Sequence, residues 1–191
     1  GEVIAQAAPP LQTFGRAKVA PPPGAFLQAT ADAQAALQSA VAKAVGDAPR
    51  VADLFAGCGT FALPLAEGAE VHAVESVAEM LTALDHGWRH ATGLKRVTHE
   101  TRDLFRNPLL PEDLARFDAV VIDPPRAGAE AQVRALADSA VPRIAAVSCN
   151  PVTFARDAKI LCDAGYRLDW VQMVDQFRFS PHVELAAAFA R

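Results

Sequence analysis

No run of apolar residues in the sequence approaches the roughly 20 that a helix needs to span a bilayer, and the N-terminus lacks the basic and apolar regions of a secretory signal. Three cysteines, Cys58, Cys149 and Cys162, stand far apart without CxxC spacing. That scarcity argues against a disulfide framework and against a zinc or iron–sulfur centre. Free thiols suit a reducing compartment, so the expected location is the cytoplasm. Positive charge is also in short supply, with 18 Lys and Arg against 22 Asp and Glu and a net charge of −4. A strongly basic surface over the whole molecule is therefore not expected, and any nucleic-acid affinity has to come from a local patch or from something outside this chain. There is no internal repeat. The chain begins Gly1-Glu2-Val3 rather than with Met, as expected of a piece of something longer.

What the chain does have is 191 residues, 51% of them hydrophobic, enough to bury the core of one large domain. Residues 1–29 read as an N-terminal arm or short hairpin, because the stretch is rich in Ala and Pro and Pro21-Pro22-Pro23-Gly24 can continue neither a helix nor a central strand. Residues 30–191 read as the main domain. Its first segment, 31–45, favours helix, with Thr30 as N-cap and Gly46 as stop. A βαβα alternation follows, with strands expected at 50–55, 69–75, 96–100, 117–122 and 143–148. Helices are expected at 60–67, 77–92, 130–139 and 151–164. Near-continuous apolar strands in that order predict an α/β protein with a mostly parallel, Rossmann-like sheet covered on both faces. Two last strands, 167–174 and 183–190, have no helix between them and predict an antiparallel hairpin at the sheet's end.

The first of these strands runs into Asp53-Leu54-Phe55-Ala56-Gly57-Cys58-Gly59-Thr60. Gly57 and Gly59 suit a tight turn whose amides approach a ligand closely. The turn has neither the full GxGxxG of dinucleotide sites nor the GK[ST] of a P-loop, but it matches the Asp-x-x-x-Gly-x-Gly pattern of S-adenosylmethionine-dependent methyltransferases. Glu75 ends the second strand, where an acid can bind both ribose hydroxyls. Asp103, after the third strand, is a candidate for the adenine edge or simply a cap for its own loop. Cys58 reads as a packing residue.

Two further strand ends carry reactive groups. Asp123-Pro124-Pro125-Arg126 resembles the acid-Pro-Pro-aromatic loop of amino-methyltransferases, but Arg126 stands where their stacking ring would be. Ser148-Cys149-Asn150-Pro151 puts a thiol where a buried strand gives way to a turn. Together with the segment ending His182-Val183-Glu184 and the early Phe26-Leu27-Gln28, these motifs resemble the RNA (uracil-5-)-methyltransferase family, which makes 5-methyluridine in tRNA and ribosomal RNA.

The resemblance runs from about residue 20 to the C-terminus and implies a class I S-adenosylmethionine-dependent methyltransferase fold. It implies Cys149 as nucleophile and Glu184 as base, with Asp123 hydrogen-bonding the uracil edge or lining the methyl end of the cofactor. It also implies Gln28, Phe55, Thr60, Glu75, Asp103 and Asp123 as contacts of S-adenosylmethionine. Thr60 departs from the Asn often found at its position. The RNA-binding β-barrel that usually comes first, and the cysteine cluster that holds iron–sulfur in some members, have no counterpart here. The expectation is therefore a C-terminal catalytic domain, monomeric, acting on rRNA or tRNA.

A target base has to leave its stack to meet a thiol. Phe177 and Phe179, alternating with Arg178, suit stacking on neighbouring nucleotides. Arg126 and Asn150 are further substrate contacts, and Arg156 and Lys159 are candidates for phosphate. Two other readings stay open: an amino-methyltransferase using the Asp123 loop, and a nucleotide-binding module without catalysis.

Overall fold

Strand β3 (Arg50–Leu54) is buried on both sides from Val51 onward, and its neighbours repeat that pattern, as central parallel strands do. The computed structural model describes residues 10–177, 179–180 and 182–191. A hairpin of β1 (Gln12–Phe14) and β2 (Ala17–Val19) comes first, then α1 (Ala31–Val45). The Thr30 hydroxyl accepts from the Ala33 amide and Gly46 ends the helix at φ 63°. After β3 follow α2 (Ala62–Leu65), β4 (Glu70–Glu75), α3 (Ala78–His90), β5 (Val97–Thr101), α4 (Pro111–Leu114) and β6 (Ala119–Ile122). The chain continues through α5 (Glu130–Asp138), β7 (Arg143–Ser148), α6 (Pro151–Asp163), β8 (Arg167–Val174) and β9 (Glu184–Ala190).

One seven-stranded sheet has the order β5-β4-β3-β6-β7-β9-β8. Every pairing from β5 to β7 is parallel, while β7–β9 and β9–β8 are antiparallel. The α/β class, the mostly parallel sheet and the antiparallel C-terminal hairpin are as the sequence predicts. The last strand, however, is not the edge. β9 lies between β7 and β8, its Leu185–Phe189 run buried on both sides, whereas β8 is exposed along most of its length. That exchange places Glu184 opposite Val174, and Leu185 opposite Ser148, at the carboxyl end of β7. The sequence pattern also missed the short α4 and overestimated α2, which is a single turn.

Helices α1 and α3 cover one face through Leu37, Val41, Val45, Leu81 and Leu84; on the other, α5 and α6 pack Leu136 and Leu161 around Ile144 and Phe189. The order in which strands are added reverses at β3, with β4 and β5 to one side and β6 and β7 to the other. A ligand crevice belongs outside the carboxyl ends of β3 and β6. Among the described residues no helix is long and apolar enough to cross a membrane.

The β1–β2 hairpin is fastened to the α3 side by Phe14 and Val19, both fully buried. Phe14→Ala should therefore cost about 3–5 kcal/mol, as for a large ring removed from a core. Urea denaturation should show one transition at a lower midpoint; a change below about 1 kcal/mol would mean that the hairpin adds little to the fold.

Candidate active site

At the carboxyl end of β3 the chain leaves the sheet through Phe55, whose φ of 63° puts a side chain in the left-handed region. Such a conformation costs about 1–2 kcal/mol and persists because its surroundings enforce it. The Ala56 amide still bonds the Val74 carbonyl at 3.0 Å, so the turn starts from a fixed ladder. The two glycines then differ. A Cβ on Gly57 would meet nothing within 4 Å, whereas one on Gly59 would lie 2.9 Å from Leu84 and 3.0 Å from Leu63. Gly57 faces open space where a ligand can approach, and Gly59 serves close packing beneath the turn.

Glu75 closes the turn from β4. Its Oε2 accepts from the Gly57 amide at 3.1 Å, and its Oε1 accepts from the Ser76 amide, the Ser76 hydroxyl and the Val77 amide. The carboxylate is thus held rigidly at the strand end. The Phe55 ring lies 5.3 Å from that of Phe105, which follows β5 and is half exposed. Asp103 turns back on its own loop: it accepts from the Phe105 amide at 3.0 Å and pairs with Arg106 at 3.6 Å. Those contacts cap its own loop. Thr60 is half buried, and its carbonyl accepts from Gln38 at 2.8 Å.

The Asp123 amide bonds the Leu54 carbonyl at 3.2 Å, which sets the start of the Pro-Pro loop against the glycine turn. That loop is then tied to α6. Asn150 caps the helix with its Oδ1 on the Val152 amide at 3.0 Å, and its Nδ2 donates to the Arg126 carbonyl at 3.0 Å. Thr153 adds a hydroxyl to the same carbonyl at 3.2 Å. Both ends of the Asn150 amide are therefore engaged within the protein, and its visible work is to hold two loops together. The Arg126 side chain remains exposed.

Cys149 sits at the head of α6, half buried. A helix start favours a thiolate, yet here the thiol is pushed up, first by burial and then by the charges of Glu184 and Asp123, with Arg126 acting weakly the other way. Glu184 itself is 3% exposed and raised by burial, an effect opposed by a hydrogen bond from Gln176. Asp123 is raised to about 7 by burial and by Glu184. Beneath them Asp53 is fully buried, neither oxygen having a hydrogen-bond partner among the described residues. Burial and then the charge of Asp123 push it well above the usual carboxylate range, with the Ala62 backbone N–H acting the other way and Glu75 adding to the rise. With Glu75, these carboxyl groups raise the energy of one another's charged forms, which a cation among them would relieve.

The final loop brings Phe177, half buried with its ring 6.2 Å from His182, and Phe179, fully exposed at φ 65°. Arg178, expected between them as a substrate contact, lies outside the described residues. Gln28 meets this loop, its Oε1 accepting from Gln176 Nε2 at 2.8 Å. Arg156 and Lys159 are committed elsewhere, Arg156 to Asp157 and Lys159 to Asp163, both at 2.7 Å. Sequence reasoning gave no role to Asp53, although the glycine-turn pattern starts on it, nor to Gln176, which no motif singled out.

A family model described as tRNA (Uracil-5-)-methyltransferase matches residues 21–191. A protein of Mesorhizobium japonicum named as an uncharacterized RNA methyltransferase is 57% identical over 97% of this chain and 45% of its own length. The 23S rRNA (uracil(1939)-C(5))-methyltransferase of Shewanella baltica is 36% identical over 87% of this chain and 38% of its own. The solved structure of Pyrococcus abyssi tRNA (uracil-54, C5)-methyltransferase in complex with S-adenosyl-L-homocysteine is similar with a TM-score of 0.81 at 28% identity, over 94% of this chain and 44% of that one. The chain spans less than half the length of each of these relatives.

The carboxyl cluster makes stability depend on pH. Asp123 ordinarily titrates at 3.8 and here at about 7, so between those values the folded form holds a proton that the unfolded chain has released. Its contribution is complete below the lower value and is lost as pH rises through the upper one. The wild type should lose on the order of 2 kcal/mol between about pH 5 and about pH 8, allowing for the partial exposure of Asp123. Urea midpoints of Asp123→Asn should show a shallower slope of the same sign, because Asp53 and Glu184 are raised as well; an unchanged slope would remove Asp123 as a source.

Proposed function

Because the chain belongs to the tRNA (uracil-5-)-methyltransferase family, we propose that it is the catalytic part of a cytoplasmic enzyme that methylates C5 of a uridine in structured rRNA or tRNA. The observation that carries this reading is the meeting of one thiol, Cys149, with two carboxyl groups, the buried Glu184 and the half-buried Asp123, beside the open side of the Gly57 turn.

The turn and its surroundings fit S-adenosylmethionine. Its sulfonium and ammonium groups are cations, and the carboxyl groups that burial holds toward their neutral forms, Asp53, Asp123 and Glu184, ionise more readily beside them. Glu75, fixed by four donors, is built to meet ribose hydroxyls while Gly57 leaves room above the turn. Gln28, Phe55, Thr60, Asp103 and Asp123 complete the wall. When bound, the cofactor supplies an electrophilic methyl group to a carbon nucleophile.

The chain's own residues make that nucleophile. Uracil C5 is a weak nucleophile, so the Cys149 thiolate adds to C6 and moves electron density to C5 as an enolate. Asp123 in its protonated form, accessible because its midpoint lies near 7, donates a hydrogen bond to the uracil edge. Once C5 carries the methyl, Glu184 removes the C5 proton. The C–H electron pair becomes the C5=C6 double bond, and the sulfur leaves as the Cys149 thiolate. A target uridine turned out of its stack fits the fully exposed Phe179 and the neighbouring Phe177 as stacking partners, with Arg126 and Arg178 as cations for the backbone.

The full-length protein, incubated with S-adenosylmethionine and an RNA containing 5-fluorouracil, should form a denaturation-resistant adduct, since fluorine at C5 cannot be removed as a proton is. Cys149→Ala should abolish it. No adduct, or one surviving the substitution, would overturn the role of Cys149. Retained transfer to adenine or cytosine after Cys149→Ser would favour an amino-methyltransferase instead. With ordinary uridine, Glu184→Gln should accumulate the adduct that the wild type passes through.

A further inference from the structure

The loop between β8 and β9 carries one side chain that bonds three residues on two segments, the arm and β9. Gln176 Oε1 accepts from the Ala29 amide at 3.0 Å. A backbone N–H can only donate, so this contact fixes which end of the Gln176 amide is oxygen. Nε2 then has to face the other way, where it meets Gln28 Oε1 at 2.8 Å and Glu184 Oε1 at 3.4 Å. Its two hydrogens serve two acceptors, one on the arm and one on β9.

Glu184 has little else to hold it. It is 3% exposed, and among the described residues Gln176 alone donates to it. Its titratable neighbours, Asp123 at the end of β6 and Cys149 at the end of β7, feel its charge. A buried carboxyl without a donor favours the neutral form, which cannot take a proton. A single N–H on one oxygen favours the charged form and leaves the other oxygen to face substrate. Gln28, one of the side chains assigned to the cofactor wall, shares the same Nε2.

We propose that Gln176 is the positioning residue of the base: its amide orients Glu184 and favours its proton-accepting form against the effect of burial, and ties it to Gln28, so that the base and the cofactor wall are set by one amide. This role rests on the methyl-transfer reading above. It acts in the step in which the C5–H bond breaks, its electron pair forms C5=C6, the C6–S bond breaks, and the proton comes to rest on Glu184.

Adduct formation and adduct decay separate this role from general packing. In the full-length protein, with a uridine RNA and S-adenosylmethionine in single turnover, each is followed against pH for the wild type, Gln176→Met and Gln176→Glu. Met keeps the bulk and loses the donor. Glu keeps an acceptor for the Ala29 amide, and so the anchor to the arm, while replacing the donor by a second acid. The acid limb of adduct decay should move up by about one pH unit in Gln176→Met and further in Gln176→Glu. Below the limb, decay should slow about tenfold, with adduct formation within about twofold of wild type. A limb unmoved in both variants, or formation and decay slowed equally, would overturn the role of Gln176 while leaving that of Cys149 intact. A wild type that forms no adduct at any pH would overturn the methyl-transfer reading and this role with it.

Discussion

β9 runs antiparallel between β7 and β8, with Leu185 opposite Ser148 and Glu184 opposite Val174. The site depends on that register. A parallel sheet by itself offers the ends of β3, β4 and β6, hence Phe55, Glu75 and Asp123. It has no way to set a residue from the end of the chain beside Cys149. A last strand that enters in the opposite direction starts where its parallel neighbour stops, so its first residue falls among the loops that follow the other strands. Because side chains alternate, a slip of one residue would turn Glu184 to the other face of the sheet and set the Leu185–Phe189 run out of step with both neighbours. The apolar run thus fixes the position of a buried acid.

The site carries its charge at a cost. Asp53 and Glu184 are buried and Asp123 half-buried, close enough to act on one another, and each is held toward its neutral form. Such a cluster is tolerable because carboxyl groups can keep their protons, which separates it from a fixed anionic patch on the surface. It also gives the neighbouring thiol an environment that resists ionisation while the pocket contains only carboxyl groups. A bound cation changes the balance for every member together, since the same charge that favours a carboxylate favours a thiolate.

Much of this was legible in the sequence, because parallel strands and glycine turns write local patterns. The five parallel strands fall within one or two residues of their expected bounds, and Asp53 to Thr60 announced a turn that binds something. What was not legible is what depends on partners distant in the chain. Nothing local in 167–190 says that the last strand lies inside the hairpin. Gln176 reads as an ordinary polar loop residue until Ala29, Gln28 and Glu184 surround it. The contacts of the Asn150 amide with Val152 and with the Arg126 carbonyl are likewise invisible in the sequence. The contacts of Asp103 with Phe105 and Arg106 lie within its own loop and are visible only in the structure.

The Asn150 clamp has a consequence for the protein's age. A folded protein loses asparagines slowly when the side-chain carbonyl carbon is attacked by the next residue's backbone nitrogen, which closes a five-membered imide and later opens to aspartate. Here that nitrogen belongs to Pro151 and carries no hydrogen to give up. The amide that joins the Asp123 loop to the head of α6 is therefore shielded from the usual route of deamidation by its own neighbour. Conversion to aspartate would set a carboxylate against the Arg126 carbonyl and turn a fastening into a repulsion. The proline that starts the helix also preserves the contact on which the geometry around Cys149 rests.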